Sequence, residues 1–64
     1  MPWNRSTLKQ LRERRDWTQD ELARRVAAHR ITIAKLETGA RKPSIDMLER
    51  LAKALKVKVT DLLK

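Results

Sequence analysis

The sequence predicts an all-α fold: one compact bundle of five helices over residues 1–64, with a helix-turn-helix formed by the second and third. Three observations lead there. Apolar residues recur at spacings of three and four, the helical period, and alternating strand patterns are almost absent. Side chains suited to helix caps stand where the periodic segments begin, and the single glycine stands where one of them ends. The stretches between segments are short, with no Gly/Ser linker and no internal repeat.

Each helix has its own justification. The first covers residues 5–15, with Asn4 or Ser6 able to cap it. Trp3 can reach Leu8 as a hydrophobic staple if Asn4 is the cap. Leu8 and Leu11 give the inward spacing, and Arg12, Arg14 and Arg15 suit the negative end of the helix dipole. The second, over residues 19–26, has the best-marked start. Thr18 and Glu21 stand at capping-box spacing, and Trp17 and Leu22 occupy the staple positions. Leu22, Ala23 and Val26 then face inward. The third covers residues 30–37, with Ile33 and Leu36 at buried spacing and Gly39 free to adopt the left-handed conformation that ends it. A basic loop over residues 40–43 leads to Ser44, which caps the fourth helix. That helix carries Ile45, Leu48, Leu51, Ala52 and Leu55 as its apolar stripe. A short fifth helix begins after Thr60, with Leu62 and Leu63 inward and Val57 and Val59 filling the approach to it.

Composition limits what such a bundle can do. At this length only about 60% of the unfolded surface is buried, so the core is thin. Cysteine is absent and two Trp are the only aromatics, which leaves helix packing to supply the stability. Sixteen Lys and Arg against eight Asp and Glu give a formal charge of +8, with a pI near 10.9. That excess favours a polyanionic partner, nucleic acid ahead of an anionic membrane, over a merely solvated basic surface. No apolar run approaches a membrane span, and the opening Met-Pro-Trp-Asn-Arg lacks the apolar core of a signal peptide. A cytoplasmic location is expected. Catalysis finds no footing: there is no Cys, no Ser/His/acid set of plausible geometry and no Gly-rich phosphate loop. His29 is the only histidine, so no metal or other cofactor is expected.

Two short helices joined by about three residues, with a Gly turn after the second, have the proportions of a helix-turn-helix. Their close crossing calls for a small residue, which Ala23 supplies, and Ala27 is small in the turn. From the buried positions Ile33 and Leu36, the outward residues of the third helix are Arg30, Ile31, Ala34 and Lys35, with Thr32 and Thr38 toward its edges.

From Leu8 to Leu63 the sequence resembles the Cro/cI-type, or XRE-type, helix-turn-helix domain. The residues that carry the resemblance begin with Leu8, Leu11 and Arg12, then Trp17-Thr18-Gln19-Asp20-Glu21-Leu22-Ala23. They continue through Thr32-Ile33-Ala34-Lys35-Leu36-Glu37-Thr38-Gly39 and Arg41-Lys42-Pro43-Ser44. They close with Leu51-Ala52-Lys53-Ala54-Leu55 and Asp61-Leu62-Leu63. The resemblance implies a five-helix fold of the lambda-repressor-like type. It also implies a transcriptional regulator, usually a repressor, that binds a palindromic operator in double-stranded DNA as a homodimer.

The resemblance also assigns residues. Arg30, Ile31 and Lys35 match base-reading positions. Arg30 suits guanine O6 and N7, Lys35 a guanine or a phosphate, and Ile31 a thymine methyl. Gln19, Thr18, Thr32, Arg41 and Lys42 match positions that hold the DNA backbone, which orients a protein without reading sequence. Arg12 and Glu37 match a structural ion pair between the first helix and the end of the third. Val57, Val59, Leu62 and Leu63 lie where family members often meet as dimers; the plainer role for them is closing the core. Arg5 and Lys9 are weaker backbone candidates. Two positions depart from the pattern: Ala27 stands where the turn usually has Gly, and His29 where the third helix usually has a Ser or Thr cap. The alternative function is an antitoxin or a restriction–modification controller, with a protein partner as well as DNA. An antitoxin usually carries a segment that wraps its toxin, whereas this sequence stops at the fifth helix. An RNA-binding module lacks the exposed aromatics of a stacking platform.

Overall fold

A computed structural model describes residues 3–63; Met1, Pro2 and Lys64 lie outside the described residues. Local side-chain chemistry starts each of its α-helices. Asn4 accepts from the Thr7 N–H at 3.2 Å and opens α1, Arg5–Arg14. Thr18 accepts from the Glu21 N–H at 3.0 Å and opens α2, Gln19–Arg25. Only half of that capping box is made, because the Glu21 carboxylate turns to Arg24 and Arg25. His29 opens α3, Arg30–Thr38, its Nδ1 accepting from the Ile31 N–H at 3.3 Å. Ser44 opens α4, Ile45–Leu55, through the Met47 N–H at 3.1 Å.

The helix ends follow one rule that the sequence shows at a single point. All four helices stop on a left-handed residue: Asp16 at φ 56°, Ala27 at 54°, Gly39 at 83° and Lys56 at 57°. After α2, the Ala28 N–H reaches the Ala23 carbonyl at 2.8 Å and the Ala27 N–H reaches that of Arg24 at 3.3 Å. Those two bonds are the Schellman closure, and they force Ala27 into a region that disfavours a Cβ. The same pair of bonds closes α1 over Asp16 and α4 over Lys56. Left-handed geometry costs alanine about 1–2 kcal/mol, while glycine's greater freedom when unfolded costs about 0.5–1. Ala27→Gly should therefore stabilise the domain by about 0.5–1 kcal/mol. The urea midpoint should rise with an unchanged m-value; a fall would show that the Ala27 methyl is needed where it stands.

Packing brings these elements around one centre. Leu8, Leu22, Ile33, Leu36, Leu51, Leu55 and Leu62 have essentially no exposed surface, so every element contributes at least one fully buried side chain. Leu11, Trp3 and Trp17 are half-buried against that cluster. Ala23 is buried where α2 crosses α3, the pair of elements in most extensive contact.

Three expectations need correction. Among the described residues there are four α-helices, and the fifth element is a 3-10 turn, Val59–Leu63. Five residues containing β-branched Val59 and Thr60 are too short and too poor in helix propensity for α geometry. The tighter turn begins with the Asp61 N–H on the Lys58 carbonyl at 2.9 Å. Ile45, placed by spacing on the apolar stripe, is 77% exposed, while Leu48, Leu51, Ala52 and Leu55 of that stripe are buried. Leu62 is wholly buried within the protomer and has no surface to offer a second copy. No helix among the described residues is long and apolar enough to cross a membrane.

Candidate nucleic-acid interface

The geometry of α3 follows from which of its faces is used for packing. Ile33, Leu36 and Glu37 are buried; Arg30, Ile31, Lys35 and Thr38 are exposed; Thr32 and Ala34 are intermediate. Ile31 is 53% exposed and is one of the two large apolar side chains held in water among the described residues. A single exposed aliphatic side chain is common on protein surfaces, so Ile31 matters here by its place between Arg30 and Lys35 on the outward face. The helix starts at Arg30 despite its histidine cap, so Arg30 and Ile31 keep the register their spacing gave them.

Glu37 is turned inward and joins three helices. Its Oε2 accepts from Arg12 Nε at 2.7 Å, and its Oε1 accepts from an Arg12 terminal nitrogen at 3.1 Å. A second donor to Oε1 is Gln19 Nε2, also at 3.1 Å. The other terminal nitrogen of Arg12 donates to the Trp17 carbonyl at 2.7 Å. Hydrogen bonding to Glu37 raises the Arg12 pKa above its ordinary value, against the opposing effect of burial and with help from the charges of Glu37 and Glu13. The sequence treated Gln19 as separate from the Arg12–Glu37 pair. Folding places its amide on the same carboxylate, at the start of α2, with one N–H and the carbonyl oxygen left over.

Several surface cations are paired within their own helices, whereas Lys9, Arg14, Lys53, Lys56 and Lys58 are exposed with no carboxylate partner among the described residues. Arg24 pairs with Asp20 and Glu21, Arg25 with Glu21, and Arg50 with Asp46, each within its own helix. Arg25 also lies over the Trp17 ring, 4.1 Å from its centroid. From residue 30 to residue 44 the chain carries Arg30, Lys35, Arg41 and Lys42 and one acid, Glu37. Those four cations are exposed and have no carboxylate partner among the described residues. Arg41 is drawn back to α3 by its backbone N–H on the Lys35 carbonyl at 3.2 Å, so the basic loop lies beside the helix end. Thr18 is exposed at the start of α2, with its hydroxyl oxygen engaged as the cap.

An α2–α3 unit of this shape, matched over residues 8–62 by the helix-turn-helix family model HTH_3, decides the family. The chain belongs to it. An uncharacterized HTH-type transcriptional regulator of Archaeoglobus fulgidus is 36% identical over 58 residues, covering 91% of this chain and 82% of that one. Among solved structures, the P22 c2 repressor in complex with a synthetic operator superposes with a TM-score of 0.90 at 25% identity. That match covers 94% of this chain and 91% of the repressor chain. The restriction–modification controller protein C.AhdI from Aeromonas hydrophila gives 0.88 at 27% identity, covering 92% and 89%. The family fold thus extends over nearly all of this chain, and α2 and α3 are its helix-turn-helix.

Of the remaining candidates, Val57, Val59 and Leu63 are half-buried at the α4 end of the molecule. Arg5 is committed elsewhere: its guanidinium donates to the Thr38 carbonyl. Sequence reasoning missed that contact and the indole of Trp3, which donates to the Leu36 carbonyl at 2.9 Å. Neither has a local signal, since each partner lies 33 residues away.

Proposed function

We propose that this protein is a cytoplasmic, sequence-specific regulator of transcription that binds double-stranded DNA with α3 in the major groove. The observation that carries this reading is the outward face of α3 and its following loop: an exposed isoleucine and four exposed cations with no carboxylate partner among the described residues. Arg30 presents a planar fork suited to guanine, Ile31 an aliphatic surface suited to a thymine methyl, and Lys35 a donor for guanine or phosphate. Thr18, Gln19, Thr32, Arg41 and Lys42 flank that face and hold phosphates. The Arg12–Glu37 pair sets the angle of α3 through α1, with Gln19 tying α2 to the same carboxylate. Repression by occupying a promoter is the simplest outcome for a domain of this size.

A competition assay tests the reading. An operator selected from random duplex should outcompete unrelated duplex by about 10³-fold or more at physiological salt. Equal competition would reduce the protein to a non-specific polycation.

The operator is expected to be palindromic and bound by two copies. The longest principal extent of the protein is 26 Å, less than the roughly 34–36 Å between successive turns of one groove. One copy cannot place helices in both. Val57, Val59 and Leu63, half-buried at the end of the molecule, supply apolar surface for the contact, and covering it adds to the thin core of each protomer. Sedimentation should show two copies on operator DNA; a sole 7.5 kDa species, both free and on operator, would remove the dimer.

A further inference from the structure

We infer that Trp3 and Arg5 are positioning residues for α3: they anchor its last turn to the start of the chain and so fix where Lys35 stands in the groove. The inference rests on the DNA-binding reading above. A helix leaves its last four carbonyls without internal partners. In α3 the Lys35 carbonyl accepts from the Arg41 N–H and the Thr38 hydroxyl, each at 3.2 Å. The Leu36 carbonyl accepts from the Trp3 indole at 2.9 Å, and the Thr38 carbonyl accepts from Arg5. Two of the end carbonyls are therefore held by donors from outside the helix and its loop. Arg5 also lies across the turn: a Cβ at Gly39 would sit 2.9 Å from a terminal nitrogen of Arg5 and 3.1 Å from its Cδ.

The donors come from a segment that is itself tied down. Between them, Asn4 caps α1, and its backbone N–H donates to the Leu62 carbonyl at 3.2 Å. The segment therefore spans from the C-terminal 3-10 turn to the end of α3. Ile33 and Leu36 keep α3 from lifting away, but apolar contact is non-directional and tolerates sliding and rolling. Directional hydrogen bonds remove those freedoms: Arg12 and Gln19 hold the Glu37 side chain, and Trp3 and Arg5 hold the carbonyl end of the same turn. Lys35 is adjacent to the anchored Leu36, whereas Arg30 lies at the other end of the helix, beyond the reach of the anchor. Base contacts need placement to about 0.5 Å and 10–20°, so a released last turn affects Lys35 first.

Trp3→Phe keeps an aromatic ring and removes the donor; Arg5→Met keeps an apolar stem, and Arg5→Lys keeps the charge. In the free protein, amide exchange of residues 36–41 should accelerate at least about fivefold in Trp3→Phe while α4 is unaffected. Uniform acceleration, or none, overturns the anchor. On DNA, discrimination at the base pair facing Lys35 should fall about fivefold in Trp3→Phe and Arg5→Met. Discrimination at the pair facing Arg30 should stay within about twofold in both, as should the affinity of the charge-neutral variant Trp3→Phe for unrelated duplex, and Arg5→Lys should recover part of the loss. Equal losses at both base pairs, or no loss, overturn the positioning role. A wild-type protein without sequence preference would overturn the DNA reading instead, and the exchange measurement, made without DNA, separates that failure from failure of the anchor. Should Trp3→Phe fail to fold, the Arg5 pair of variants decides both arms.

Discussion

Glu37→Ala should lower the stability of the domain by about 3–5 kcal/mol, enough to leave much of the protein unfolded at ordinary temperature. The size of the effect comes from what is left behind. Arg12 is only 9% exposed, and without Glu37 its guanidinium keeps the Trp17 carbonyl as its acceptor. A buried cation without its counter-ion carries a desolvation penalty that the pair had offset. Gln19 loses its partner in the same step, so the junction of α1, α2 and α3 opens at once. A domain of this length has about 3–10 kcal/mol in total. Glu13 faces solvent on α1, and Glu13→Ala should stay within about 0.5 kcal/mol. Urea denaturation of the two variants side by side is the measurement, and equal midpoints would refute the role given to the pair.

The pair is worth less than its removal suggests. Replacing both partners together, Arg12→Met with Glu37→Leu, should recover most of the stability, because no charge is then left buried. Operator affinity should not recover with it, since apolar contact does not fix the angle of α3. A cation whose folded pKa exceeds its unfolded one, as Arg12 does, loses its stabilisation only as pH rises through the folded value. For Arg12 that window lies above the ordinary arginine range, so its side of the pair contributes no pH dependence near neutrality.

The second large effect is on binding. Arg30→Ala should weaken operator binding by about 1–3 kcal/mol and relax preference at one base pair. Lys42→Ala should weaken all sequences alike and reduce the slope of log K against log salt by about one. The difference follows from placement. Arg30 is on the outward face at the start of α3, whereas Lys42 is in the loop beyond Gly39. Titrating both variants at several salt concentrations, against operator and unrelated duplex, separates the roles. If the two variants behave alike, the division into reading and holding residues fails.

Much of this site could be read before any coordinates. The inward positions Ile33 and Leu36 fix the outward ones, so Arg30, Ile31 and Lys35 follow from helical geometry. What could not be read is the company these residues keep. Gln19 is a plain first-turn glutamine in sequence and a ligand of the Glu37 carboxylate in the fold. Trp3 reads as a staple to Leu8, yet its indole N–H goes to the end of α3.

The sequence by itself determined where α2 and α4 begin, through Thr18 and Ser44, because a cap is a contact over two or three residues. The structure chose Asn4 over Ser6 for α1 and showed His29 serving as the cap of α3. The sequence also determined the end of α3 at Gly39, where residue type and backbone conformation agree. The other ends could not be read from residue type: Asp16, Ala27 and Lys56 adopt left-handed geometry without being glycine, held there by the Schellman backbone bonds. The tertiary structure left Ile45 in water and joined Gln19 to Glu37 and Trp3 to the Leu36 carbonyl. Each of those outcomes depends on which surfaces meet, and such meetings join residues far apart in the chain, beyond the range of any local pattern.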